Sequence, residues 1–295
     1  MNYNITMTNK IHFFPAKNEP KGVIVISHGM AEHLGRYEWF INQLNHDGFH
    51  VYGRNHRGHD PSINDKSKLG FFSSSNGWEK VVDDLKNVVI HASNNHSNLK
   101  IFLFGHSMGS WISLGCMLNE FPIDGLILSG SSKIKKIALK SQSMVINLEN
   151  LRLGPYGRSK LMDELSMRAF NKAFSPNRTP SDWISDCNDN VDNYESDPFC
   201  GYLVTIQLWK DIVFGMDIIF NKHNYKKIID IPILCISGSD DPVGESSKGV
   251  KRLALFLKEI SNCSVETYFV DKARHEVLSG TKYEEAYSII KSFIS

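Results

Sequence analysis

The stretch LFGHSMGSW, residues 103–111, decides the fold. An apolar run, Ile101–Phe104, leads into it, and apolar residues at helical spacing, Met108–Phe121, follow. The pentad Gly105-His106-Ser107-Met108-Gly109 therefore joins a strand to a helix in one sharp turn. At average Gly and Ser usage, a random chain of this length contains G-x-S-x-G about 0.1 times. In this setting the pattern is a nucleophile elbow. A serine there adopts a strained backbone, and bulky neighbours would collide with the strand and the helix. Glycine at both flanks, Gly105 and Gly109, removes that collision. The turn lifts the Ser107 hydroxyl clear of the carboxyl edge of the sheet. It also sets Ser107 at a helix N-terminus, where developing negative charge is favoured.

On either side of the elbow, short apolar runs alternate with amphipathic segments. The expected strands are Ile11–Phe14, Val23–Ser27, Val51–Arg54, Ile101–Phe104, Leu126–Ser129, Ile233–Ser237 and Val265–Val270. Helical patterns lie between them at Arg36–Asp47, Trp78–Asn94, Met108–Phe121, Ser246–Ile260 and Tyr283–Phe293. Apolar strands separated by helices predict a mainly parallel sheet covered on both faces, an α/β fold. The alternation breaks once. No strand pattern lies between Ser131 and about Ile229, only helical pieces such as Ile134–Leu151 and Gly201–Phe220. A structureless loop of that length is improbable in a compact domain. The expected organisation is a core from residues 1–130 and 230–295, with 131–229 inserted as a helical subdomain.

Composition narrows the function. The 295 residues carry a net charge of +1, with 22% charged and 41% hydrophobic residues. That provides no field for nucleic acid. Five scattered cysteines without C-x-x-C pairing fit free thiols in a reducing, cytoplasmic setting, not a disulfide frame or zinc site. The first twenty residues lack a signal-peptide apolar core, and no run reaches membrane-span length. No H-E-x-x-H, G-x-G-x-x-G or P-loop occurs, so neither a metal nor a nucleotide cofactor is expected.

A serine hydroxyl needs a base, and the base needs a carboxylate to hold its tautomer. In this fold the chain order is serine, acid, histidine. His275, in VDKARHEVL, follows the strand Val265–Val270 and is the candidate base; His223, in KHNYKK, faces solvent. The acid should follow the strand Ile233–Ser237, where GSDDPV offers both Asp240 and Asp241. Their side chains diverge and only one can face His275. Pro242 makes position 241 the more rigid. An oxyanion hole needs two backbone N–H groups, here from Met108, the residue after the serine, and Met30, in the turn after Val23–Ser27. Glu32 and His33 are expected to buttress that turn.

These segments together, HGMAEHLGRY (28–37), RGHDPS (57–62), GHSMGS (105–110), GSDDPVG (238–244) and ARHEV (273–277), resemble the α/β-hydrolase superfamily. The resemblance is to its monoacylglycerol lipase, lysophospholipase and serine aminopeptidase S33-like branch, and it spans most of the chain in order. DPFCGY (197–202) resembles bacterial members. The resemblance implies that Asp241 is the acid, that Met30 and Met108 take the oxyanion positions, and that the insertion is a helical cap or lid. One loop departs from the family pattern D-x-R-G-H-G-x-S: Asn55 stands for Asp, and the chain changes between His59 and Ser62. The implied activity is hydrolysis of a monoacylglycerol or lysophospholipid through an acyl-enzyme. A short-chain carboxylesterase, an acyltransferase or peptidase on the same triad, and a non-catalytic binding protein are the alternatives. Apolar residues of the insertion, Ile134, Ile137, Val145, Ile146, Leu148, Leu151 and Leu153, then Leu203, Ile206, Leu208, Val213, Phe214 and Ile218, divide between packing, an acyl tunnel and a surface for lipid aggregates.

Overall fold

Among the described residues, seven strands form one sheet in the order β1-β3-β2-β4-β5-β6-β7, and only β1 runs antiparallel. This computed structural model describes residues 10–295. Part of the N-terminal stretch searched for a leader, residues 1–9, lies outside them.

The strands are β1 (His12–Phe14), β2 (Gly22–Ser27), β3 (Phe49–Gly53), β4 (Lys100–His106), β5 (Gly125–Ser129), β6 (Ile233–Gly238) and β7 (Val265–Val270). The central strands β2, β5 and β6 are buried along their whole length, which is why they read as unbroken apolar runs. Alternate residues serve the two faces. Val23, Val25, Leu103 and Leu128 pack with α2 (Gly77–Asn95), α3 (Met108–Cys116) and α9 (Lys248–Ile260). Ile24, Ile26, Phe104 and Ile127 pack with α1 (Glu38–His46) and α10 (Tyr283–Ile294) on the other face.

Between β5 and β6 lie five helices: α4 (Lys136–Leu153), α5 (Lys160–Glu164), α6 (Met167–Lys172), α7 (Asn188–Ser196) and α8 (Ile206–Ile219). This segment is not uniform. Ile206, Leu208, Ile212 and Met216 of α8 join the same core as α2 and α3. Trp183, Ile184, Val191 and Tyr194 form a small core of their own. The α4–α5 part instead exposes Ile137, Met144, Leu148, Leu151, Leu161 and Leu165.

Several boundaries differ from expectation, and for two of them the cause is local. The helix after the elbow ends at Cys116, not Phe121, because Met117 closes it with an N–H to the Leu114 carbonyl. The strand expected at Val51–Arg54 begins at Phe49, directly after Gly48, whose φ of +91° turns the chain. No helix among the described residues is long and apolar enough to cross a membrane.

Candidate active site

Ser107 occupies the turn between β4 and α3 with φ 52° and ψ −121°. A non-glycine residue there is strained, and such strain persists only where the surroundings enforce it. The enforcement is visible. The Ser107 N–H donates to the Ser129 carbonyl at the end of β5 (2.9 Å). A Cβ on Gly105 would stand 2.6 Å from Ser113 Oγ and 2.7 Å from the Gly109 carbonyl. A Cβ on Gly109 would stand 2.1 Å from the Ser27 carbonyl and 2.5 Å from that of His28. Both flanking glycines are thus steric requirements, as the pentad implies.

His275 follows β7 and is buried. Its Nδ1 donates to Asp241 Oδ1 at 3.0 Å, which leaves Nε2 as the basic nitrogen. Asp241 is wholly buried and accepts twice more, from the Val243 N–H (2.9 Å) and from Ser237 Oγ (3.0 Å). Asp240 is exposed and accepts from Ser239 Oγ instead. The structure therefore brings Asp241, and not its neighbour, to His275. Burial alone would lower the His275 pKa. The Asp241 charge and its hydrogen bond outweigh burial and raise the pKa above its ordinary value.

Ser107, Met108, Met30 and His275 line one cavity of about 450 Å³. Met108 is the first residue of α3, so its N–H belongs to the unpaired first turn of that helix. Met30 lies in the loop after β2. Glu32 Oε1 accepts from the Gly29 N–H and from Tyr37 Oη, while His33 Nε2 donates to Asp197 Oδ2 (2.8 Å). Glu32 and His33 brace the loop, as expected. The next residue to Met30, Ala31, has φ 52°, a second strained position that the sequence does not flag. Its carbonyl accepts from the Gly201 N–H (2.9 Å). The divergent Asn55 has a role of its own: its Oδ1 accepts the Leu34 N–H (2.8 Å). His223 lies in a short exposed turn far from these groups, as expected.

Several contributors escape the sequence reading. Trp183 packs a tilted ring against His275 at 5.0 Å, and His106 does so at 4.7 Å. Burial and the neighbouring His275 hold the His106 pKa well below its ordinary value, so it sits neutral there. The His275 loop is also gripped by the insertion. The Glu276 N–H donates to the Ile184 carbonyl (2.7 Å), and Arg274 Nη1 donates to the Ser185 carbonyl (3.1 Å). Arg36 Nη2 and Asn190 Nδ2 both donate to Glu276 Oε2, at 2.6 and 2.7 Å. Only the opposite charges of Glu32 and Arg36, four residues apart, hint at this network, although Glu32 lies in the loop before the short turn Leu34–Tyr37.

Chemically, the arrangement offers a half-buried serine at a helix N-terminus, an imidazole oriented by a buried carboxylate, and a largely apolar chamber. Comparison with known proteins agrees with that chemistry. The profile of the hydrolase family described as serine aminopeptidase, S33, matches residues 18–282. The chain is 26% identical to the human monoglyceride lipase over 272 residues, covering 88% of this chain and 76% of that one. It is 25% identical to a monoglyceride lipase homolog of monkeypox virus over 262 residues, 88% of this chain and 83% of that one. The crystal structure of a thermostable carboxyl esterase from Bacillus coagulans superposes with a TM-score of 0.83 at 27% identity, covering 97% and 94% of the two chains. A match that runs from before β2 to the start of α10 takes in Ser107, Asp241 and His275 together; with the lipase and esterase relatives, it shows that the chain belongs to the serine aminopeptidase S33 family of α/β-hydrolases and is a carboxylic ester hydrolase.

Proposed function

We propose that this chain is a monoacylglycerol lipase that works through Ser107, His275 and Asp241. His275 Nε2 takes the Ser107 proton as Oγ attacks the ester carbonyl. The Met30 and Met108 N–H groups receive the oxyanion. His275 then protonates the departing glycerol oxygen, and a water that it activates releases the fatty acid from the acyl-serine. Asp241 holds the imidazole and stabilises its charged form.

The lining of the cavity carries the substrate assignment. Trp111, Ile134, Trp209, Ile212, Val213 and Met216 offer an apolar wall for an acyl chain. The charged lining is mostly acidic: Glu32, Asp163, Glu195, Glu245 and Glu276. Arg168 is the one lysine or arginine lining it among the described residues, and it is paired with Asp163 (3.0 Å). Glu32 and Glu276 are paired with Arg36 and Glu245 with Arg252, so the lining holds few unpaired charges. It offers a phosphate headgroup no unpaired lysine or arginine, while it suits the neutral hydroxyls of glycerol. That favours monoacylglycerol over lysophospholipid.

The insertion of residues 131–229 serves as the cap over this chamber. On α4, Ile137, Met144, Leu148 and Leu151 share one exposed face, and Leu151 is 83% exposed. Lys135, Lys136 and Lys140 stand beside them in solvent. This pattern supports transient contact with a lipid aggregate at the mouth of the site. The five cysteines are all unpaired, which fits a reducing compartment.

Fatty-acid release from monoolein and from lysophosphatidylglycerol, each with wild type and Ser107→Ala, tests the assignment. Release from monoolein alone, lost in the variant, is expected. Comparable release from both lipids would overturn the headgroup argument, and release by Ser107→Ala would overturn the mechanism.

A further inference from the structure

At the seam between the loop 28–33 and the insertion, His33, Asp197 and Cys200 bring an imidazole, a carboxylate and a thiol together. His33 Nε2 lies 2.8 Å from Asp197 Oδ2, and the three ligating atoms all fall within 4.8 Å of one another. Tetrahedral zinc sets its ligand atoms about 3.2–3.6 Å apart, so binding draws the widest of these separations in by up to about 1 Å. Their surroundings hold them in place. Asp197 Oδ1 accepts the Phe199 N–H (2.8 Å). The Cys200 N–H donates to the Asp197 carbonyl (3.0 Å), which closes the turn carrying both ligands. Fixed outer partners of this kind orient metal ligands. The His33 and Asp197 side chains keep 15% and 28% of their exposure, so solvent and an ion reach the cluster. None of the three takes part in the acyl transfer described above.

We propose that His33, Asp197 and Cys200 bind one zinc-class divalent ion, with water as the fourth ligand. A mixed nitrogen, sulfur and oxygen set selects zinc over magnesium or calcium, which take oxygen alone. Binding balances as follows. Cys200 releases its thiol proton to solvent and coordinates as thiolate. His33 loses the Nε2 proton and gains one on Nδ1, so the ring stays neutral. Asp197 exchanges its hydrogen bond from His33 for the ion. A protonated Nδ1 no longer accepts the Gly35 N–H, which is the side-chain cap of the short helical turn Leu34–Tyr37. The ion therefore tightens the seam while it uncaps the turn that follows Met30. Arg36 stands against the Cys200 sulfur, and its charge opposes a cation at the site, so the ion is expected to exchange.

Cobalt(II) and zinc titrations of metal-free full-length protein test this. Wild type should bind one ion per chain and develop a thiolate-to-cobalt charge-transfer band. Cys200→Ser should abolish the band, while His33→Asn and Asp197→Asn should weaken zinc binding about 10–100-fold by calorimetry. Cys263→Ser, on the far side of the sheet edge, should match wild type. Thermal denaturation without metal checks that each variant is folded, and Cys200→Ala replaces the serine variant if that hydroxyl destabilises the seam. No binding by wild type, a band that survives in Cys200→Ser, or unchanged zinc affinity in the His33 and Asp197 variants would overturn the proposal. The readout is absorbance and heat, so the result stands apart from whether the ester substrate is a monoacylglycerol.

Discussion

Replacing Asp241 by Asn separates charge from geometry at this site. Asp241 Oδ1 accepts from both His275 Nδ1 and the Val243 N–H, while Oδ2 faces Ser237 Oγ. An amide placed with its oxygen at the Oδ1 position and its nitrogen toward Ser237 keeps all three contacts. The imidazole keeps its orientation and its Nδ1 proton. In the proposed mechanism, what disappears is the negative charge that stabilises the imidazolium formed during attack on the ester. Loss of the carboxylate charge in a triad of this type costs up to about 10⁴ in rate, and a preserved tautomer should hold the loss to about 10²–10⁴. The pH profile carries a second signature. In wild type Asp241 lifts the His275 pKa above its ordinary value in spite of burial, so the acid limb of kcat/KM should lie above pH 6.5. Without that charge burial prevails, and the residual activity should lose its acid limb to below pH 6.5. Hydrolysis of a p-nitrophenyl ester across pH 5–9 reads both effects. Asp240→Asn, at an exposed position, should stay within about twofold of wild type. Equal losses in the two variants, or an acid limb fixed above pH 6.5 in Asp241→Asn, would refute the reasoning.

Three further outcomes follow from the same structure. Ser107→Gly should be inactive yet more stable, since relief of about 1–3 kcal/mol of backbone strain exceeds the 0.5–1 kcal/mol entropic cost of glycine; urea denaturation with a lowered midpoint would contradict this. Gly109→Ala should destabilise by about 3 kcal/mol or more, because its Cβ meets two backbone carbonyls of the β2 loop and not a side chain that can swing aside; a midpoint near wild type would show that α3 can shift freely. Acid should weaken the fold through His56 and His59, which burial pushes down to about 3 and about 4. Below pH 6.5 the unfolded chain binds protons that these two rings refuse, so stability falls as pH falls towards their folded values. Two such groups cost about 4 kcal/mol by pH 5. His275, with its raised pKa, acts in the opposite sense and offsets part of that loss. Denaturation midpoints at pH 7 and pH 5 that agree would show that these histidines are not held neutral.

Legibility in the sequence tracks the range of the forces involved. The elbow is legible because its constraint is local: a strand, a strained serine and a helix within ten residues leave room for glycine alone at 105 and 109. The buried strands are legible because each is apolar on both faces. Short α5, α6 and α7 are not, since polar, nine-residue α7 has no apolar period and exists through its contacts with Trp183 and Ile184. Adjacent Asp240 and Asp241 look alike in one dimension, and the difference between them is the 0% exposure of Asp241 against the solvent-facing neighbour. The insertion shows the same limit from the other side. Its helical character is visible as a gap in the strand pattern, but that gap suggests a detachable unit. In the fold, residues 182–190 hold the backbone and carboxylate of the His275 loop, and α8 belongs to the core beneath. Any movement that admits a substrate is then expected in α4 and α5, where Leu148, Leu151 and Leu161 are exposed. A lid that moved as one body from 131 to 229 would pull the ligands of Glu276 and Arg274 away from the base it is meant to serve.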